Sequence, residues 1–138
     1  MAKTINEVMT HDPITLEADT PIAQAARKMR EGDTGAILVI EGDELVGIVT
    51  DRDIVVRAIA DGRDPETPIG EIATRDPRTV TPDQPLADAI KIMRDDDVRR
   101  VPVLQDGRPT GIVSLGDLAL EQDPESALAD ISSGSQNN

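Results

Sequence analysis

The chain of 138 residues has no tryptophan, tyrosine, phenylalanine or cysteine, and one histidine, His11. Without cysteine there can be neither a disulfide framework nor a thiolate metal site. Without aromatic rings the core must be built from many aliphatic contacts, and the stacking platforms used by single-stranded nucleic acids are missing. Positive charge is scarce as well: 14 lysines and arginines face 27 acids, a net charge of −13 that repels a phosphate backbone. No nucleic-acid partner is expected. No run approaches the roughly 20 apolar residues that span a bilayer, and the opening "MAKTINEVMT" lacks the apolar core of a signal peptide. A cytoplasmic protein with no membrane partner is the expectation.

Enzyme chemistry finds little to work with. One histidine and no cysteine leave the usual triads and zinc sites nearly empty-handed. The acidic run Asp95-Asp96-Asp97 lacks the alternating spacing and glycine of a calcium loop, and no glycine-rich phosphate loop occurs. No catalytic residue, no metal site and no required cofactor are expected.

What the chain does contain is itself, twice. Shifted by 64 residues, Ile5–Ile54 aligns without gaps on Ile69–Leu118, with 18 of 50 pairs identical. Average residue usage gives roughly four identities by chance, so the match marks an internal duplication. Each copy has an Asp-Pro turn and a brief strand ("PITL", "PRTV"), then a helix opened by Pro21 or Pro85. Ile22, Ala25, Ala26 and Met29, and in the second copy Leu86, Ala89, Ile90 and Met93, recur at helical spacing. The runs "GAILVI" and "RRVPVL" suit strands covered on both faces, and tight turns at "EGDE" and "QDGR" lead into return strands. A second helix follows, to about Ala60 or Glu121. Each unit is thus β-α-β-β-α behind a short helical lead-in, "INEVM" or "IGEIA". Residues 1–60 form a first domain, 61–68 a linker, 69–122 a second domain, and 123–138 a tail, a weak helix in "ESALADI" before a disordered end. Fifty residues make a meagre core, so two units packed about a pseudo-twofold axis, with a cleft between them, is the economical α/β (α+β) arrangement.

The return strands end in one repeated phrase, "GIVTDRDI" and "GIVSLGDL". Thr50 with Asp53, and Ser114 with Asp117, fit capping boxes, in which a hydroxyl and an acid satisfy the first helical amides reciprocally. Gly47 and Gly111 could permit a close approach of backbones. The same junction has a second capability. Free amides and the positive helix end attract phosphate, a hydroxyl can donate to it, and a carboxylate one turn along can accept from a ribose diol. In that reading the glycines leave room for something flat. Both readings stand at this level.

The duplicated unit, with its glycine-aliphatic-aliphatic-Ser/Thr-x-x-Asp endings, "VMTHDPITL" and "DVRRVPVL", resembles a pair of cystathionine-β-synthase (CBS) domains, the Bateman module, from about Ile5 to Leu120. "TDRDIVVRAIADGRDP" is similar to small stand-alone members. The resemblance implies regulatory binding of AMP, ADP, ATP or S-adenosylmethionine between the domains, with Mg2+ possible alongside ATP, and a conformational change passed to a protein effector. By position it implies ribose contacts from Asp53 and Asp117 and phosphate contacts from Thr50 and Ser114. It places backbone around Thr15 and Thr79, and around Ala36–Ile37 and Val101–Pro102, beside adenine. It further implies a homodimer, for which the helices at 54–60 and 117–122 are candidate surfaces and Ile92 a weaker one.

The copies are unequal. Arg52 is matched by Gly116, whereas Arg99 and Arg100 replace Gly35 and Ala36. Planar guanidinium groups suit phosphate, so Arg52, Arg99 and Arg100 could form a basic island and make one site tighter. The competing reading pairs these arginines with neighbours such as Asp95–Asp97. The rival function is a stress-associated structural or interaction protein of the same fold that binds no nucleotide.

Overall fold

The computed structural model describes residues 3–122. They form two compact units: one is the continuous segment Ile14–Pro77, while the other combines the chain up to Pro13 with the chain from Arg78 onward. The tail expectations, helix and disorder alike, lie outside the described residues.

In the continuous unit, β2 (Thr15–Glu17) leads to α2 (Ile22–Gly32), then β3 (Ala36–Glu41) and β4 (Glu44–Thr50). A helical turn, α3 (Asp51–Asp53), widens into a π-helix, Ile54–Ile59, in which the amide of Ala60 reaches the carbonyl of Val55. A 3-10 turn at Ile69–Glu71 and β5 (Thr74–Arg75) complete it. The sheet order is β2-β3-β4-β5. The discontinuous unit contains α1 (Ile5–Val8), β1 (Thr10–His11), α4 (Leu86–Asp96), β6 (Arg100–Gln105), β7 (Arg108–Ser114) and α5 (Leu115–Gln122), with sheet order β1-β7-β6. The fold is α+β, and apart from the opening strand of the second copy the duplicated order of elements is the one the sequence announces.

The lead-ins, however, pack with the opposite copy. Ile5 and Met9 lie in one core with Val80, Met93, Val103 and Leu118. Ile69 and Ile72 lie in the other with Ile22, Met29 and Ile37. The strand after each lead-in goes the same way: β1 runs antiparallel to β7, and β5 antiparallel to β4. Compact unit and sequence repeat are therefore out of step by one lead-in.

Local chemistry explains the finer differences. Pro21 and Pro85 sit one residue outside their helices, in extended conformation, as N-caps rather than first helical residues. Asp33 and Asp97 close the same helices in the left-handed region, which aspartate tolerates better than bulkier residues. The 106–107 turn has positive φ at both Asp106 and Gly107, as a type I′ hairpin requires. The expected opening strand of the second copy shrinks to one bridge, Val80 to Val103. In the first copy the amide of Leu38 donates to the carbonyl of Ile14. Its counterpart is Pro102, which has no N–H, so that rung of the ladder cannot form.

Candidate functional site

Each unit brings one strand-to-helix junction together with the start of the neighbouring strand. Ala36, at the head of β3, stands opposite Thr50, the last residue of β4, and Thr15 stands opposite Leu38. In the other unit Arg100 stands opposite Ser114, Val101 opposite Val113 and Pro102 opposite Ile112, with Thr79 just before the Val80 bridge. Thr15, Ala36, Ile37, Thr50, Arg52 and Asp53 thus share one unit. Thr79, Arg99, Arg100, Val101, Pro102, Ser114 and Asp117 share the other. Ile37 and Val101 turn their side chains into the cores, which leaves only their main chain for a ligand.

Both capping boxes are closed. The amide of Asp53 donates to Thr50 Oγ1 at 3.1 Å, and the amide of Thr50 donates to Asp53 Oδ2 at 2.9 Å. The amide of Asp117 donates to Ser114 Oγ at 3.0 Å, and the amide of Ser114 to Asp117 Oδ2 at 3.0 Å. In each carboxylate the cap occupies Oδ2 and leaves Oδ1 outside it.

The first turns of the two helices differ in what they offer an anion. In the first copy the amide of Asp51 donates to the Gly35 carbonyl, that of Arg52 to Asp51 Oδ1 and that of Asp53 to Thr50. The amides of this first turn, expected to be free for phosphate, are engaged within the chain. In the second copy the amide of Leu115 donates to the Arg99 carbonyl in the same way. Leu115, unlike Asp51, has no side-chain acceptor for the next amide, that of Gly116, and adds no negative charge. The second junction is the less hindered for phosphate.

Electrostatics separate the carboxylates further. Burial pushes the Asp117 carboxyl above its ordinary range, while the amide and hydroxyl of Ser114 and the charge of Arg100 pull it partly back. Beside Asp53 stands Arg57, its Nε 3.6 Å from Oδ1, and Arg57 Nη1 also donates to the Ile72 carbonyl at 3.3 Å. Arg57 is the residue the sequence reading passed over; its position, four residues beyond Asp53 on a helix, was the available signal.

Several expectations need correction. The space at the two glycines is filled by the chain itself. A Cβ on Gly47 would meet the Thr74 carbonyl oxygen at 2.8 Å, and one on Gly111 would meet the Thr10 carbonyl oxygen at 2.8 Å and Met9 Sδ at 2.7 Å. That leaves no room for something flat; of the two readings of these glycines, close backbone approach is the one that holds, and they admit the edge strands β5 and β1. Ile92 is buried in its core and is no surface candidate. In the acidic run, Asp95 pairs with Lys91 and Arg78, and Asp96 with Arg78.

Among the described residues no helix is long and apolar enough to cross a membrane, and no group of three or more His, Cys, Asp or Glu side chains is gathered as a metal site.

The CBS-domain family model matches residues 5–59 and 69–122. Hypoxic response protein 1 of Mycobacterium tuberculosis is 35% identical over 127 residues, covering 91% of this chain and 88% of that protein. Solved structures share the fold, among them the following two. The crystal structure of Hypoxic Response Protein I with two coordinated zinc ions has a TM-score of 0.76 and 34% identity, over 85% of this chain and 97% of that one. The CBS domain pair of protein MJ0100, in complex with 5′-methylthioadenosine and S-adenosyl-L-methionine, has a TM-score of 0.82 and 26% identity, over 91% and 100% respectively.

Proposed function

We propose a ligand-sensing, regulatory role for this chain, which belongs to the CBS-domain family and carries two such domains in tandem. The ligands are adenosyl compounds: AMP, ADP, ATP, with Mg2+ accompanying ATP, or S-adenosylmethionine. One observation carries the reading. At matching junctions, Asp53 and Asp117 are each held through Oδ2 by a Thr or Ser cap, with Oδ1 left for a sugar diol. Thr50 and Ser114 stand beside the phosphate end, and main chain at Thr15 with Ala36–Ile37, or Thr79 with Val101–Pro102, reads the base. The adenosyl ligands of the MJ0100 pair support this choice of chemistry. Binding shifts the balance between arrangements of the chain only insofar as one arrangement holds the ligand better, and a protein effector reads that balance. No catalysis is assigned.

Val55, Val56 and Ile59 form an exposed apolar face on the π-helix, 60%, 48% and 62% accessible. We assign this face to a second copy of the chain.

The capping boxes also favour a second reading, since they account for both aspartates with no ligand at all. In that case the chain is a structural or stress-associated interaction protein. Zinc, held by the hypoxic response neighbour, finds a poor donor set here: one histidine and no cysteine.

Calorimetry against AMP, ADP, ATP and S-adenosylmethionine, with D53A and D117A as controls, decides between the readings. Saturable heat lost in the aspartate variants supports sensing; absence of heat with all four leaves the structural reading.

A further inference from the structure

We propose that Arg57 is a positioning residue for the first of the two nucleotide sites: by fixing the Asp53 carboxylate it makes that site selective for an intact ribose diol. The inference rests on the nucleotide-binding reading above.

The cap controls only half of the carboxylate. The amide of Thr50 holds Asp53 Oδ2, and Oδ1 is left free to swing about that bond. Arg57 stands beside the other oxygen, with Nε 3.6 Å from Oδ1. At that distance it is an ion pair rather than a hydrogen bond, so Oδ1 keeps its acceptor capacity for a hydroxyl. The guanidinium is itself tethered, because Nη1 donates to the main-chain carbonyl of Ile72 at 3.3 Å, and Ile72 is rooted in the core of the same unit. Asp53 is thus oriented through a chain that ends in fixed backbone, although the Arg57 side chain is half exposed. A hydroxyl pair is recognised through two hydrogen bonds whose strength falls steeply with misalignment, so a carboxylate held at both oxygens distinguishes diol from single hydroxyl better than one held at Oδ2 alone.

The second copy cannot do the same thing. Its residue at the position of Arg57 is Glu121, a carboxylate with no N–H to donate. Its cation comes instead from the strand: Arg100 stands where the first copy has Ala36, opposite Ser114, and its charge acts on Asp117. The two copies therefore balance equivalent aspartates from different elements, one from the helix behind the carboxylate and one from the strand across from it.

The test is calorimetry with AMP and with 2′-deoxy-AMP on the full chain. In a D117A background, which isolates the first site, R57Q is expected to lower AMP affinity about three- to tenfold while 2′-deoxy-AMP affinity stays nearly constant, so the preference for the diol collapses. A merely structural role would weaken both nucleotides alike. R57K keeps the charge but cannot serve both acceptors with one planar head; it is expected to fall between parent and R57Q, and it carries the test if R57Q fails to fold. In a D53A background the Arg57 substitution is expected to change nothing. Unchanged preference in R57Q, with AMP still bound, overturns the role of Arg57 alone. No heat from the parent chain with AMP, ADP, ATP or S-adenosylmethionine overturns the nucleotide reading and this proposal with it.

Discussion

The carbonyl oxygen of Thr10 lies 2.8 Å from the point where Gly111 would carry a Cβ, and Thr74 stands in the same relation to Gly47. In both places a strand from one copy's lead-in crosses the return strand of the other. Alanine has no room at either crossing, and the obstructing atom is main chain, which cannot rotate aside. G47A and G111A should each lose about 1–3 kcal/mol, the range for forcing atoms into a packed site, measured by urea unfolding. Stability equal to the parent in both variants would show that the edge strands move away freely.

Removal of the hydroxyl caps tests the junctions apart from any ligand. T50A and S114A should each lower stability by about 1 kcal/mol, because an amide at the head of a helix loses its acceptor. D53A and D117A should cost a similar amount, and each should also reduce the rise in melting temperature produced by AMP. A full AMP shift in both aspartate variants would leave the carboxylates as caps and nothing more.

The raised carboxyl of Asp117 gives stability a definite pH dependence. Its folded value exceeds its unfolded one, so between the two the folded chain binds more proton than the unfolded chain. This contribution to stability is present below the unfolded value and lost as pH rises through the folded value. D117N keeps an acceptor for the Ser114 amide and removes the buried charge. It should match the parent near pH 3 and equal or exceed it near pH 7, across the ordinary carboxylate range of about 4. Urea midpoints of the two proteins at a series of pH values give the difference directly; a D117N protein weaker at neutral pH than at acid pH, relative to parent, contradicts the burial cause.

The apolar face on the π-helix makes a further prediction. V55E together with I59E places two charges on residues about 60% exposed, so folding should be little affected. Self-association should not survive, since two like charges would face the same surface of a second copy. Sedimentation of parent and variant checks this: a parent dimer and a variant monomer are expected, and a variant that stays dimeric moves the interface elsewhere.

The period of the duplication is plain in the sequence, but its phase in space is not. Self-alignment places Ile5 beside Ile69 and says nothing of which core receives either one. That choice depends on long-range packing: Ile5 joins Val103 and Leu118, and Ile69 joins Ile22 and Ile37. The capping boxes were legible because they are local, needing only a hydroxyl and an acid three residues apart. Close backbone approach at Gly47 and Gly111 was one of two readings the sequence left open, and it holds; which backbone approaches was hidden, since the atoms that demand glycine arrive from 27 residues away in one case and 101 in the other (74 − 47 and 111 − 10). Pro102 could have announced the shortened strand of the second copy, but only once Leu38 was known to donate to Ile14. Arg57 was visible at helical spacing from Asp53, whereas the acceptor that tethers it, the Ile72 carbonyl, belongs to the other repeat.

The nesting of one unit inside the other has a consequence for birth at the ribosome. Ile14–Pro77 holds every strand of its own sheet, so it can close as soon as Pro77 has emerged. Ile5 and Met9 must wait for Val103, Val113 and Leu118, made about a hundred residues later. At a synthesis rate of about 5–20 residues per second, that delay is on the order of 5–20 seconds, during which these two greasy side chains have no home. A chaperone that patrols nascent chains would meet these two side chains before the strands that cover them exist.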